Sequence, residues 1–94
     1  MTNYELMVIY EKSLKDDGAK KEVSALKDLL TKLGATVKKT DYWGLKDLSY
    51  PIKKETQAYY YVTNFEINPD QIENLMAHLS RRDSGVVRNL LTKV

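Results

Sequence analysis

Gly44-Leu45-Lys46-Asp47-Leu48-Ser49-Tyr50-Pro51-Ile52-Lys53-Lys54 joins the two most β-prone runs of the chain. Leu48, Tyr50 and Ile52 recur at every second position, the period of a strand with one buried face. Lys53-Lys54-Glu55-Thr56 then forms a polar tip before the apolar run from Ala58 to Ile67. The stretch predicts a long hairpin with a basic end, suited to an anionic partner.

Upstream, a strand starts near Ala35 and passes through Val37. Val37 lies on the odd parity and Leu48 and Tyr50 on the even one, so a bulge or bend near Gly44 is required. Asp41, Lys46 and Asp47 along this strand read as edge protection against sheet-to-sheet pairing. Downstream, Tyr59, Tyr61, Phe65 and Ile67 share one parity and form the expected core set. Tyr60 and Val62 fall on the other face with Asn64 and Glu66.

At the start of the chain, Tyr4 to Tyr10 predicts a strand that is apolar on both parities and therefore central. Ser13 with Asp16 has the form of a capping box, with Asp16 or Asp17 as alternative caps. Val23, Leu26, Leu30 and Leu33 then mark a helical stripe closed by Gly34. Asn68-Pro69-Asp70-Gln71 opens a second helix, with Asn68 as cap, Pro69 at N1 and Gln71 reaching back from N3. Ile72, Leu75, Met76 and Leu79 supply its buried stripe, and Val86 to Val94 reads as a last strand. The order β-α-β-β-α-β is the ferredoxin-like arrangement of class α+β: a four-stranded antiparallel sheet, the first and third strands central, both helices on one face.

The 94 residues suit a single domain spanning 1–94, and 43% hydrophobic with 30% charged residues is a globular composition. No apolar run reaches the length of a membrane span, no signal-peptide pattern opens the chain, and the lack of cysteine permits a cytoplasmic home. The chain has no cysteine, hence no thiolate chemistry and no disulfide framework. The net charge of +2 hides a segregation. Residues 36–54 hold five lysines against two aspartates, and residues 81–94 hold Arg81, Arg82, Arg88 and Lys93 against Asp83, leaving the remainder at −4. Such clustering favours a polyanion at one end, with solvated surface as the competing reading.

Enzyme signatures are missing: no phosphate-loop pattern, no nucleophile elbow, and a single histidine, His78, at a helix boundary position. No catalytic residue, metal site, cofactor or small-molecule substrate is expected. The topology is shared with RNA-recognition modules, whose third strand carries stacking aromatics. Here Tyr59 and Tyr61 match that signature but lie on the core parity, and Gln57 stands where a basic residue is needed. The lysines suit phosphate positioning better than base reading. Lys53 and Lys54 lead, followed by Lys46, then Arg82 and Arg88.

The run Gly44 to Lys53 also resembles the signature of the sixth small-subunit ribosomal protein family of bacteria: Gly, any residue, basic, polar, Leu, small, Tyr, any residue, Ile, then commonly a basic or small polar residue. Every specified position is met, and the similarity continues at Tyr4-Glu5, Leu33-Gly34-Ala35 and Arg82-Asp83. The resemblance implies a non-enzymatic ribosomal protein. Its expected role is to bind the central domain of small-subunit ribosomal RNA as a heterodimer with the eighteenth small-subunit protein. Carried over by position, Tyr4, Lys46, Lys53 and Lys54 belong to the RNA-facing region. Trp43 and Leu45, with Tyr60 and Val62, are assigned to the partner surface. Thr2 and Asn3 stand where some relatives carry arginines, which argues against an N-terminal phosphate contact. Many members add a polar tail that lies along the partner protein; the sequence stops at Val94, as a short natural version or through loss of the tail, and a lower partner affinity is the expectation. The alternatives are a stand-alone RNA-recognition module and a small-molecule-binding regulatory domain of the same topology.

Overall fold

The computed structural model describes residues 1–52, 55–81 and 85–94, with side chains apart from those of 49–52 and 55. Strand β1 runs Thr2–Glu11, helix α1 Lys15–Lys32, β2 Thr36–Ile52, β3 Glu55–Ile67, α2 Ile72–Leu79 and β4 Val86–Lys93. The sheet order is β2-β3-β1-β4 and every pairing is antiparallel. The ferredoxin-like arrangement is therefore the observed one, with β1 and β3 in the centre.

One face of the sheet packs on the helices. Leu6, Val8 and Tyr10 of β1 and Tyr59, Tyr61, Phe65 and Ile67 of β3 meet Val23, Leu26 and Leu30 of α1 and Leu75 and Leu79 of α2. These are the parity and stripes expected from the spacing, because only one face of each element can shed water against the other layer.

Gly34 ends α1 as expected. At φ 85° it lets Ala35 N–H donate to the Leu30 carbonyl at 2.9 Å and its own N–H donate to that of Thr31 at 3.1 Å, the paired bonds of a Schellman motif. A bulge is present at Gly44 as expected: the β2–β3 register shifts between Tyr42 and Gly44, with Gly44 at φ 77°. Two further shifts, between Val37 and Lys39 and between Asp47 and Ile52, have no glycine to announce them.

The start of α1 differs from expectation. Ser13 lies in a 3-10 turn, Lys12–Leu14, where its hydroxyl donates to the Glu11 carboxylate at 2.8 Å; the N-cap of α1 is Leu14, one residue on, so Ser13 closes no capping box. Neither Asp16 nor Asp17 caps the helix; both sit in its first turn, at the positive end of the helix dipole. The entry to the second helix is half as expected. Asn68 Oδ1 accepts from Asp70 N–H at 3.0 Å, but it caps a 3-10 turn at Pro69–Gln71 that leads into α2. Gln71 does not reach back; its Oε1 accepts from Asn74 at 3.1 Å.

Candidate interaction surface

The face of the sheet away from the helices is built by cross-strand register. Residues directly opposite one another in an antiparallel sheet point to the same side, so the pairings define rows. Tyr60 faces both Gly44 and Ile9, and Ile9 faces Arg88. In the next open-face row, Asp41, Val62, Met7 and Leu90 follow one another from edge to edge. Beyond it come Lys39, Asn64, Glu5 and Thr92. On the other side of the apolar rows stand Lys46, Ala58 and Glu11. The result is an apolar band about two rows deep, bounded by polar rows.

Trp43, displaced by the bulge, stacks on Tyr60 with ring centroids 5.9 Å apart and planes 9° from parallel. Its indole N–H donates to Asp41 Oδ2 at 2.7 Å, which fixes the orientation of the indole. Glu5, Met7, Lys39, Asp41, Trp43, Val62 and Asn64 line a shallow depression beside the stacked pair. An apolar centre with a polar rim is the anatomy of a protein interface.

Of the four residues assigned to a partner surface, Trp43, Tyr60 and Val62 are brought together here. Leu45 is not with them. It faces Tyr59 across β2–β3, so it lies on the helix side of the edge strand. Met7, Ile9 and Leu90 complete the band and were not singled out in the sequence. Their signals were present: β1 is apolar on both parities, and the Leu90-Leu91 doublet puts one leucine on each face.

The basic candidates divide. Lys46 and Arg88 flank the band on opposite edges, roughly 14 Å apart across three strand spacings. Tyr4 lies at the other end of β1, about 17 Å along the strand from Ile9. It is half-buried on the helix side, its ring 6.1 Å from that of Phe65. Lys53, Lys54 and Arg82 lie outside the described residues. Arg81 is structural: its Nε donates to the His78 carbonyl at 2.9 Å and its Nη2 to Glu22 of α1 at 3.2 Å. Burial, with the Arg81 charge adding to it, lowers the pKa of the half-buried His78. Among the described residues no cluster of His, Cys, Asp and Glu could hold a metal ion. No described helix is long and apolar enough to cross a membrane.

The family model described as ribosomal protein S6 matches residues 3–93. The chain belongs to the ribosomal protein S6 family. It is similar to small ribosomal subunit protein bS6 of Porphyromonas gingivalis, 38% identical over 90 residues that cover 96% of this chain and 76% of that one. It is also similar to bS6 of Fusobacterium nucleatum, at 34% identity over 93 residues, covering 99% and 98% of the two chains. Among solved structures, the crystal structure of 30S ribosomal protein S6 from Thermotoga maritima superposes with a TM-score of 0.91 at 19% identity, covering 99% of this chain and 87% of that one. These relatives are proteins of the small ribosomal subunit.

Proposed function

We propose that this chain binds the central domain of small-subunit ribosomal RNA jointly with the eighteenth small-subunit protein, with division of labour between two surfaces. The partner protein covers the open apolar band, and phosphates meet the basic groups at the hairpin end. The observation that carries this reading is the Trp43–Tyr60 stack within a band of Met7, Ile9, Val62 and Leu90. Aromatic anchors in an apolar centre are the usual hot spots of protein interfaces. Lys46 and Arg88 stand at the rim, where charge steers association without being desolvated. Lys53, Lys54 and Arg82 join the phosphate set on the strength of the sequence. Tyr4 belongs to the RNA side by family position, at the far end of the sheet.

The test is titration of a central-domain RNA fragment with this chain alone and with the eighteenth protein present. Joint replacement of Trp43 and Tyr60 by alanine should weaken heterodimer formation at least tenfold while the chain stays folded. Joint Lys53→Ala and Lys54→Ala substitution should leave the heterodimer intact and flatten the salt dependence of RNA binding by about 0.7–0.9 per lost phosphate contact. Tight, sequence-selective RNA binding by the chain alone would defeat the partner-dependent reading. If that binding were also lost on removing Trp43 and Tyr60, the band would instead be a base-stacking platform.

A further inference from the structure

The two edges of the sheet are treated differently. Edge strand β2 carries Lys38, Lys39, Asp41, Lys46 and Asp47, and its register is broken in three places, all devices that discourage a further strand. Edge strand β4 has no charge between Arg88 and Lys93, and its pairing with β1 runs unbroken from Lys93 to Arg88. Among the described residues no strand pairs with its outer side. Leu90 is 55% exposed, the most exposed large hydrophobic residue outside the two termini among those described.

The direction of the backbone groups follows from one bond. Val94 N–H donates to the Asn3 carbonyl at 2.9 Å, next to the Tyr4–Lys93 pair. In an antiparallel ladder, hydrogen-bonded and non-hydrogen-bonded pairs alternate. Thr92, Leu90 and Arg88 therefore direct their backbone groups toward β1, and Asn89, Leu91 and Lys93 direct theirs outward.

We infer that β4 pairs with β4 of a second copy of this chain, antiparallel about a twofold axis through Leu90. Side-chain direction and charge narrow the register, and the exposure of Leu90 places its centre. Keeping the open faces of both copies on one side demands an axis through a residue, because side chains alternate along the strand. An axis through Leu90 makes Asn89 of one copy and Leu91 of the other a hydrogen-bonded pair, the residues whose groups point outward. It also sets Arg88 opposite Thr92 and Lys93 opposite Val87, so no like charges meet. Leu90 then faces Leu90 as a non-hydrogen-bonded pair, in which side chains approach most closely. The apolar bands of the two copies become continuous. One strand pair and one leucine contact fall short of the roughly 1,200 Å² of a stable interface, so the dimer is weak and concentration-dependent. The inference does not depend on the RNA or partner-protein reading.

Sedimentation equilibrium over a concentration series should show the average mass rising from monomer toward dimer. Leu90→Lys should abolish the rise, and Trp43→Lys, on the opposite edge, should leave it unchanged. Register is tested by single cysteines, since the chain has none of its own. Under mild oxidation Leu90→Cys should form covalent dimers at least tenfold faster than Arg88→Cys or Thr92→Cys. A mixture of Arg88→Cys and Thr92→Cys chains should cross-link with each other faster than either does with itself. A wild-type chain that stays monomeric at every concentration overturns the inference, as does cross-linking at 90 no faster than at 88 or 92.

Discussion

The Tyr42 hydroxyl of β2 donates to Asp16 Oδ1 of α1 at 2.9 Å, tying the edge strand to the helix that covers it. Lys20, one helical turn on, grips the same carboxylate at 2.9 Å and lies 5.9 Å from the centre of the Tyr42 ring. The ring itself is parallel-stacked on Tyr59, centroids 6.5 Å apart. A small exposed network thus holds the strand against the core at a point where its charges would otherwise keep it in water.

This network makes stability depend on acid. Lys20 first, then Tyr42, holds the Asp16 carboxyl below its ordinary value. The unfolded chain therefore takes up this proton more readily than the folded one. The contribution is present above the unfolded value and is lost as pH falls through the folded value, below about pH 4. In urea unfolding followed from pH 6 to pH 2, Asp16→Asn should flatten this loss most and Tyr42→Phe in part. Profiles parallel to the wild type would show that the contacts contribute nothing in solution.

Thr63 and Tyr61 give opposite expectations for the removal of a buried hydroxyl. Thr63 is fully buried, and its Oγ1 donates to the Lys39 carbonyl at 3.0 Å, beside the first register shift of β2. Thr63→Val keeps the shape but strands that carbonyl, and should cost about 1–2 kcal/mol. The Tyr61 hydroxyl is buried with no hydrogen-bond partner among the described residues. Tyr61→Phe should therefore stabilise by up to about 1 kcal/mol. Chemical denaturation of both variants decides it, and a marked loss for Tyr61→Phe would mean that an internal water satisfies the phenol.

Gly85 sits at φ 73°, where a Cβ would come within 2.5 Å of a Leu14 methyl carbon. Backbone strain and overpacking act together, so Gly85→Ala should destabilise by at least about 2 kcal/mol. Adding Leu14→Ala should recover the clash but not the backbone term, giving a double variant less damaged than the two single losses summed. Thermal unfolding of the four proteins in the cycle provides the comparison.

Element order, core parity and the bulge at Gly44 were legible because each is a local pattern. The leucines of α1 repeat at helical spacing, Gly34 supplies the conformation a helix end needs, and a glycine inside a β-prone run marks the bulge at Gly44; the parity argument for that bulge fails, because a second shift between Val37 and Lys39 restores the parity and leaves Val37 and Leu45 on one face. The capping box at Ser13 failed for an equally local reason: a 3-10 turn intervenes and moves the N-cap of α1 to Leu14. The open-face band is different in kind. Met7, Trp43, Val62 and Leu90 lie on four strands, and only register brings them into adjacent rows. Leu45 illustrates the same limit: two residues from Trp43 in sequence, it ends on the opposite side of the strand because Trp43 is itself the extra residue of the bulge. That β4 is an edge strand follows from the expected sheet order, but which of its backbone groups point outward depends on its register with β1 and was not legible.

The central position of β1 also orders events in time. Its outer neighbour, β4, is the last strand of the chain, with Tyr4 paired to Lys93. A chain made from its N-terminus must therefore hold its first strand half-covered until β4 appears. The β2–β3 hairpin and its docking on β1 can form earlier, but closing the longest loop comes last and slows folding. Until then Leu6 and Val8, fully buried in the finished protein, lack the cover of Leu91, so synthesis of this chain passes through a stage with an open, apolar strand edge prone to association.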